Sequence, residues 1–178
     1  HYHFEFRYLF EIEEIKNIGR FVAKNLEGKT EGATLDGKYK VIRCQDDSVK
    51  NRLDADILIL SENAGVDHIT NLRRIISAFL VSSWNYSEKD ADILATYITV
   101  YNAVYRGDLE YFKTKYKEVV TKNLVSNKVG LSTNYIDWPG NTQIVIPIGS
   151  ITSVDTSVIS DKKVIDNMRE EEDRSVDT

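Results

Sequence analysis

The polar side chains best suited to bind a ligand come from two segments in the middle of the chain. Arg73 and Arg74 adjoin in an otherwise apolar stretch, and Asn102 and Arg106 are four residues apart, which places them on one face of a helix. Tyr101 lies next to Asn102. Structural ion pairs between the arginines and the many acidic residues are the interpretation that we favour. The alternative is a small polar pocket formed by these five residues, because guanidinium groups hold carboxylates and phosphates through paired hydrogen bonds.

A stripe of tyrosines runs beside this proposed pocket. Tyr97, Tyr101 and Tyr105 recur at four-residue intervals, and Tyr111 follows in the next predicted helix. Such a stripe is typical of a core or core edge in which each hydroxyl reaches a polar partner. The alternative is a groove for a peptide, a glycan or a partner helix.

The sequence contains no familiar catalytic or metal-binding constellation. His68 has no second histidine near it, and the single cysteine, Cys44, excludes both an internal disulfide and a cysteine zinc site. Asp54 and Asp56 lack the glycine and glutamate of an EF-hand loop, so we interpret them as solvated strand ends. We therefore predict no enzymatic activity, no metal and no cofactor.

Arg106-Gly107-Asp108 is the tripeptide that integrins recognise. Folding alone also explains it, because Gly107 lies where one helix must end and Asp108 lies where the next needs a cap. We favour the folding roles, and host adhesion through this tripeptide stays as an alternative.

Composition describes one globular domain with an acidic tail. The 178 residues are 42% hydrophobic and 29% charged, and the net charge of −5 disfavours nucleic acid as a partner. No apolar run is long enough to span a membrane. Residues 161–178 hold seven acids and four bases. We expect a tag remnant or arm over 1–10, which opens with His1-Tyr2-His3, a globular domain over 11–149, and an acidic tail over 150–178 that leads into a charged helical region.

Apolar periodicity and turn residues predict an α+β fold. We expect a small mixed sheet of about three strands, a first helix and a three-helix subdomain; a βαβ arrangement with a parallel sheet is the alternative. The predicted elements are a helix over Glu11–Leu26, a mobile loop over Glu27–Gly37, strands over Tyr39–Cys44, Asp56–Leu60 and Thr142–Ile148, and helices from Asp67 to about Trp84, from Ser87 to Gly107 and from Asp108 to about Leu124.

Three segments carry a resemblance to a known family. They are Asn71–Ile75 (NLRRI), Ile98–Tyr111 (ITVYNAVYRGDLEY) and Trp138–Ile148, which contains QIVIP. Together they resemble the N-terminal domain of the spirochaete 83/100-kilodalton antigen family, known from Borrelia with relatives in Treponema. The likeness is specific over about residues 67–148 and weaker through the first helix and first predicted strand.

The resemblance implies an exported protein, periplasmic or otherwise associated with the cell envelope, whose globular domain precedes a long charged helical region. No enzymatic activity is established for that family. In an exported protein we expect the lone Cys44 to be a buried free thiol, with intermolecular pairing as the alternative. The leading hypothesis is a non-enzymatic binding or scaffold domain with a protein or cell-wall partner, while the oligomeric state stays open. The alternative is a small-ligand or hydrolytic domain that uses Tyr101, Asn102 and Arg106 with an acid such as Asp108.

Overall fold

The computed structural model describes the backbone of residues 2–148 and the side chains of residues 11–148. The predicted acidic tail and its charged helix lie outside the described residues. The helices are α1 (Tyr2–Leu26), α2 (Ile69–Trp84), α3 (Glu88–Val104), α4 (Leu109–Lys115) and α5 (Glu118–Thr121), and the strands are β1 (Glu31–Thr34), β2 (Tyr39–Cys44), β3 (Ala55–Leu60) and β4 (Thr142–Pro147).

The four strands form one sheet in the order β1-β2-β3-β4. The predicted α+β class is confirmed, with four strands where about three were expected. All three pairings are antiparallel, so the sheet is not mixed and the alternative parallel βαβ arrangement is wrong. The predicted positions of β2, β3 and β4 are confirmed, and Pro147 lies at the end of an edge strand, where its missing N–H removes no hydrogen bond from the sheet.

The sheet separates two apolar cores. Leu58 and Leu60 of β3 face a core built with α1, α2 and α3, whereas Ala55 and Ile57 face a second core built with α4, α5 and the end of α3. This arrangement explains why β3 is a continuous apolar run rather than an alternating one.

Strand β1 lies where a mobile loop was expected. Residues Glu31–Thr34 pair with β2, and Gly32 packs so closely on α1 that a Cβ atom there would lie 2.7 Å from the Leu26 nitrogen. The loop prediction was wrong because it took glycine as a turn signal. Here glycine permits a close approach between strand and helix.

The predicted helix from Asp108 to about Leu124 is broken in two. Between α4 and α5 the backbone of Tyr116 bridges to Leu53: the Leu53 N–H donates to the Lys115 carbonyl and the Lys117 N–H donates to the Leu53 carbonyl. These long-range hydrogen bonds replace helical ones, so the apolar periodicity continues while the helix does not.

Side-chain caps fix where the middle helices begin. Ser87 and Asp108 cap α3 and α4 as predicted, through bonds from the N–H groups of Asp90 and Tyr111. Asp67 was the predicted cap of α2, but His68 takes this role: its Nδ1 accepts from the Thr70 N–H at 3.0 Å.

Gly19 sets the distance between α1 and α2. A Cβ atom at this position would collide with the Ile75 carbonyl oxygen and lie 2.8 Å from the Phe79 nitrogen. Only glycine therefore lets the two helices cross at this distance.

We expect Gly19→Ala to lower the free energy of unfolding by about 1–3 kcal/mol, because backbone atoms of α2 must move to admit the methyl group. Urea denaturation measures the change. Gly65→Ala is the matched control, because a Cβ there meets nothing within 4 Å; its effect should stay below about 0.5 kcal/mol. Equal stability of the Gly19 variant and the wild type would contradict the proposed helix crossing.

Candidate functional site

The five residues predicted to form a pocket do not converge on one solvent-facing surface. Tyr101 and Asn102 are fully buried, whereas Arg106 is exposed. Arg73 Nε donates to Thr99 Oγ1 at 3.0 Å, and Arg74 Nη1 donates to the Asn71 side-chain oxygen at 2.8 Å. Both arginines therefore take part in contacts on or beside their own helix.

The Asn102 side chain binds the backbone of β4. Its Nδ2 donates to the Val145 carbonyl and to the Ile98 carbonyl, both at 2.9 Å, and its Oδ1 accepts from the Val145 N–H at 2.8 Å. One amide thus satisfies both backbone groups of Val145, as a neighbouring strand would. The role of Asn102 in this arrangement is to attach α3 to the sheet.

The rest of the outer edge of β4 is also covered. The Gln143 N–H donates to the Lys128 carbonyl at 2.8 Å, and the Gly130 N–H donates to the Gln143 carbonyl at 2.9 Å. With Val145 bound by Asn102 and Pro147 lacking an N–H, the edge offers little to another strand.

The tyrosine stripe belongs to the second core. The hydroxyl of Tyr101 lies 3.1 Å from that of Tyr111 and 3.0 Å from that of Tyr116. The rings of Tyr105 and Tyr111 stack at 3.5 Å, and Phe112 packs edge-on against Tyr101. The contacts match the core interpretation: ring stacking and shared hydroxyls hold α3 against α4.

Burial makes these hydroxyls weak acids. It is the largest cause that raises the pKa of Tyr101 far above its ordinary value, and the nearby Tyr116 raises the pKa further. Burial likewise raises the pKa of Tyr116. Both phenols therefore stay protonated at any physiological pH.

Arg106-Gly107-Asp108 forms the corner between α3 and α4. Gly107 has a φ of 75°, its N–H donates to the Val129 carbonyl at 2.8 Å, and Asp108 caps α4. The three residues are exposed but held in the corner. Integrin binding stays an untested alternative.

Asp56 is not the solvated strand end that its position suggested. Its carboxylate is 0% exposed, and it accepts from Arg43 Nε and Nη2 and from Trp84 Nε1, each at 2.9 Å. The Arg43 guanidinium also lies 4.4 Å from the centre of the Trp84 ring. A buried carboxylate needs such partners. Arg43 and Asp56 are register partners on β2 and β3, and only the pairing of those strands brings them together.

Asp54 also forms an ion pair that stabilises the fold. It lies 2.9 Å from the ammonium of Lys117, which is itself buried and donates to the Asp46 carbonyl at 2.8 Å. The two bonds tie the loop after β2 to the break between α4 and α5. Within the described residues, no three His, Cys, Asp or Glu side chains group as they would around a metal ion.

The Cys44 thiol is buried, as expected. Burial raises its pKa to about 11, against the smaller opposing effect of a bond from the Asn123 amide. The thiol is therefore protonated at neutral pH and is a poor nucleophile.

The structure contains a cavity that was not predicted from the sequence. It is a cavity of about 640 Å³ between α1, the β1–β2 turn, residues 65–67 and the start of α2, which we call the α1–α2 cavity. Its lining residues are Glu11, Glu14, Ile15, Asn17, Ile18, Phe21, Thr34, Leu35, Tyr39, Gly65, Val66, Asp67, Asn71 and Ile75.

The α1–α2 cavity has an apolar interior and an acidic border. Among the side chains of residues 11–148 that line it, three are acids and none is Lys, Arg or His. Two large apolar side chains at its mouth are half exposed, Phe21 at 51% and Leu35 at 52%. Exposed apolar side chains grouped at a concave site are typical of a binding surface.

Tyr39 anchors the wall of this cavity. Its hydroxyl oxygen accepts from the Gly65 N–H at 3.1 Å, which fixes residues 65–67 against β2. Burial raises the pKa of Tyr39, the Gly65 bond opposes this, and the negative charge of Asp67 adds to the increase.

Two apolar residues in the sequence could have drawn attention to this cavity. Phe21 lies outside the apolar stripe of α1, which runs through Ile15, Gly19 and Val22, and Leu35 is an apolar residue inside a turn. Each is unremarkable alone. Only the hairpin, whose first strand the sequence did not reveal, brings them together.

The fold and this geometry define an α+β domain with an antiparallel sheet and an acid-bordered surface cavity. The sequence model of the Borrelia P83/100 protein family matches residues 6–178, and the chain belongs to this family. The match confirms the resemblance and begins within the segment assigned to a tag remnant or arm. No curated protein and no solved structure matches the chain.

The helices differ from membrane spans in length or in polarity. None of those within residues 2–148 is both long enough and apolar enough to cross a bilayer.

We expect the buried tyrosines to make the domain unstable in alkali. Their folded pKa values lie above the ordinary value of 10.0, so above that pH the unfolded state loses protons that the native state keeps. The contribution of these tyrosines to the free energy of unfolding is therefore fully present below about pH 10. Above that pH it falls by about 1.4 kcal/mol per pH unit for each such group.

Tyr101→Phe removes one of these groups and should lower that slope by about 1.4 kcal/mol per pH unit. Urea unfolding between about pH 9 and 11.5 measures both slopes. Identical slopes for the variant and the wild type would contradict the burial of an ionisable hydroxyl at Tyr101.

Proposed function

We propose that this chain is a non-enzymatic binding domain of an exported, cell-envelope-associated antigen, and that it binds a protein partner through the α1–α2 cavity. The observation that carries the proposal is the open apolar interior of this cavity, with half-exposed Phe21 and Leu35 at its mouth. Membership of the P83/100 family supports the antigen assignment.

The chemistry of the buried groups supports a binding rather than a catalytic role. The polar residues that attracted attention in the sequence bind other parts of the protein: Asn102 binds β4, and Asp56 binds Arg43. The Cys44 thiol is protonated at neutral pH, because its pKa is about 11. None of these groups is presented to a substrate.

A small ligand is the second candidate for the same cavity. Its volume of about 640 Å³ falls within the range of roughly 300–1,000 Å³ that small-molecule sites occupy. This candidate moves the predicted ligand site from Tyr101, Asn102 and Arg106 to the α1–α2 cavity.

Site-specific photocrosslinking of the full antigen in spirochaete cells tests the proposal, because it captures a partner whose identity is unknown. A photoreactive phenylalanine analogue at position 21 or 35 should give a discrete protein adduct. The control position is 136, because Ile136 is 71% exposed and does not line the cavity. Adducts from position 136 but not from 21 or 35 would overturn the proposal, and so would adducts from none of the three.

A further inference from the structure

We propose that the α1–α2 cavity binds a basic amphipathic helix of a protein partner. The inference rests on the proposed function and specifies the occupant of the same site. Three features of the cavity support it: the sign of its charge, the arrangement of its apolar residues and the backbone conformation of Leu35.

The charge of the cavity border selects a cationic partner. Glu14 and Asp67 contribute exposed carboxylates, and among the side chains of residues 11–148 no Lys, Arg or His lines the cavity. Lys and Arg on a partner would find complementary charge, whereas an acidic segment would be repelled.

Apolar residues of both helices line the cavity. Ile15 and Ile18 are one turn apart on α1, Ile75 of α2 forms part of the buried wall, and Phe21 and Leu35 are half exposed. An amphipathic helix binds such a groove through apolar side chains at positions i, i+3, i+4 and i+7, which leaves its polar face for the groove's border. Carboxylates at the border suit lysines on that face.

Leu35 has a backbone conformation that leucine rarely adopts. Its φ is 52°, in the left-handed region that favours Gly and Asn, and its side chain is half exposed. Burial in the core therefore does not account for a leucine at this turn. Contact with the apolar face of a partner does account for it, because a strained residue beside a cavity is typical of a binding site.

The first test uses two synthetic helical peptides of about four turns that share a leucine face. One peptide carries lysines on its polar face and the other carries glutamates. The 178-residue chain is titrated into each fluorescently labelled peptide, and binding is measured by fluorescence anisotropy. The lysine peptide should bind at least about tenfold more tightly than the glutamate peptide, and its binding should weaken at high salt. Equal affinities, or a preference for the glutamate peptide, would overturn the proposal.

Charge variants locate the interaction. Glu14→Gln combined with Asp67→Asn should weaken binding of the lysine peptide about three- to tenfold, because each exposed charge contributes modestly. Glu110→Gln combined with Glu118→Gln is the matched control: it also removes two charges, from exposed carboxylates on α4 and α5 that do not line the cavity. A loss of the same size in the control would show that only net charge matters and would refute the site.

Leu35→Asn separates binding from folding. Asparagine suits the left-handed turn, so the melting temperature should stay the same or rise, while binding of the lysine peptide should fall about fivefold or more. Ile136→Asn removes an exposed apolar side chain elsewhere and should leave binding unchanged. Unchanged binding by the Leu35 variant would contradict the proposed contact.

Failure of this inference is distinguishable from failure of the proposed function. Adducts from positions 21 and 35 without preference for the lysine peptide would reject the basic helix and retain the binding domain. If there are neither adducts nor peptide binding, both the inference and the proposed function are rejected. Binding of a small cationic amphiphile such as dodecyltrimethylammonium, without binding of the lysine peptide, would also reject the helix and support the small-ligand candidate.

Discussion

The bond between the Asn102 side chain and the backbone of Val145 holds the sheet and the helices in one arrangement. The chain leaves the sheet at Leu60 and returns at Thr142, with four α-helices and the short 3-10 helix Tyr135–Asp137 in between. Val145 pairs with Ile57 on one side, and on the other its N–H and carbonyl need buried partners. The Asn102 amide supplies both a donor and an acceptor, so it fixes the position of α3 relative to β4.

Buried charges connect the layers in a similar way. Asp56 joins β3 to Arg43 on β2 and to Trp84 at the end of α2, and Lys117 joins the break between α4 and α5 to Asp54. Removing one partner would leave the other charged and buried, which is costly. These interior polar residues therefore serve the fold, whereas the carboxylates at the border of the α1–α2 cavity face solvent, where a partner can reach them.

Local signals in the sequence were sufficient to predict where helices begin. They were not sufficient to predict the break between α4 and α5 or strand β1. Ser87 and Asp108 marked helix starts, because a cap acts within three residues of itself. The break at Tyr116 depends on Leu53, more than sixty residues earlier in the chain, and β1 depends on pairing with β2. The surroundings of the predicted site residues depend on the same kind of contact: the Asn102 side chain binds β4, which lies far along the chain.

Native-state hydrogen exchange of the Val145 amide tests the central claim, that Asn102 is part of the sheet rather than of a ligand site. If its side chain accepts from this N–H inside the core, the amide exchanges only when the whole domain unfolds, with the free energy obtained from urea denaturation. Exchange through local opening of β4, at a free energy well below the global value, would contradict the account, because it would mean that the outer edge of this strand is open to solvent.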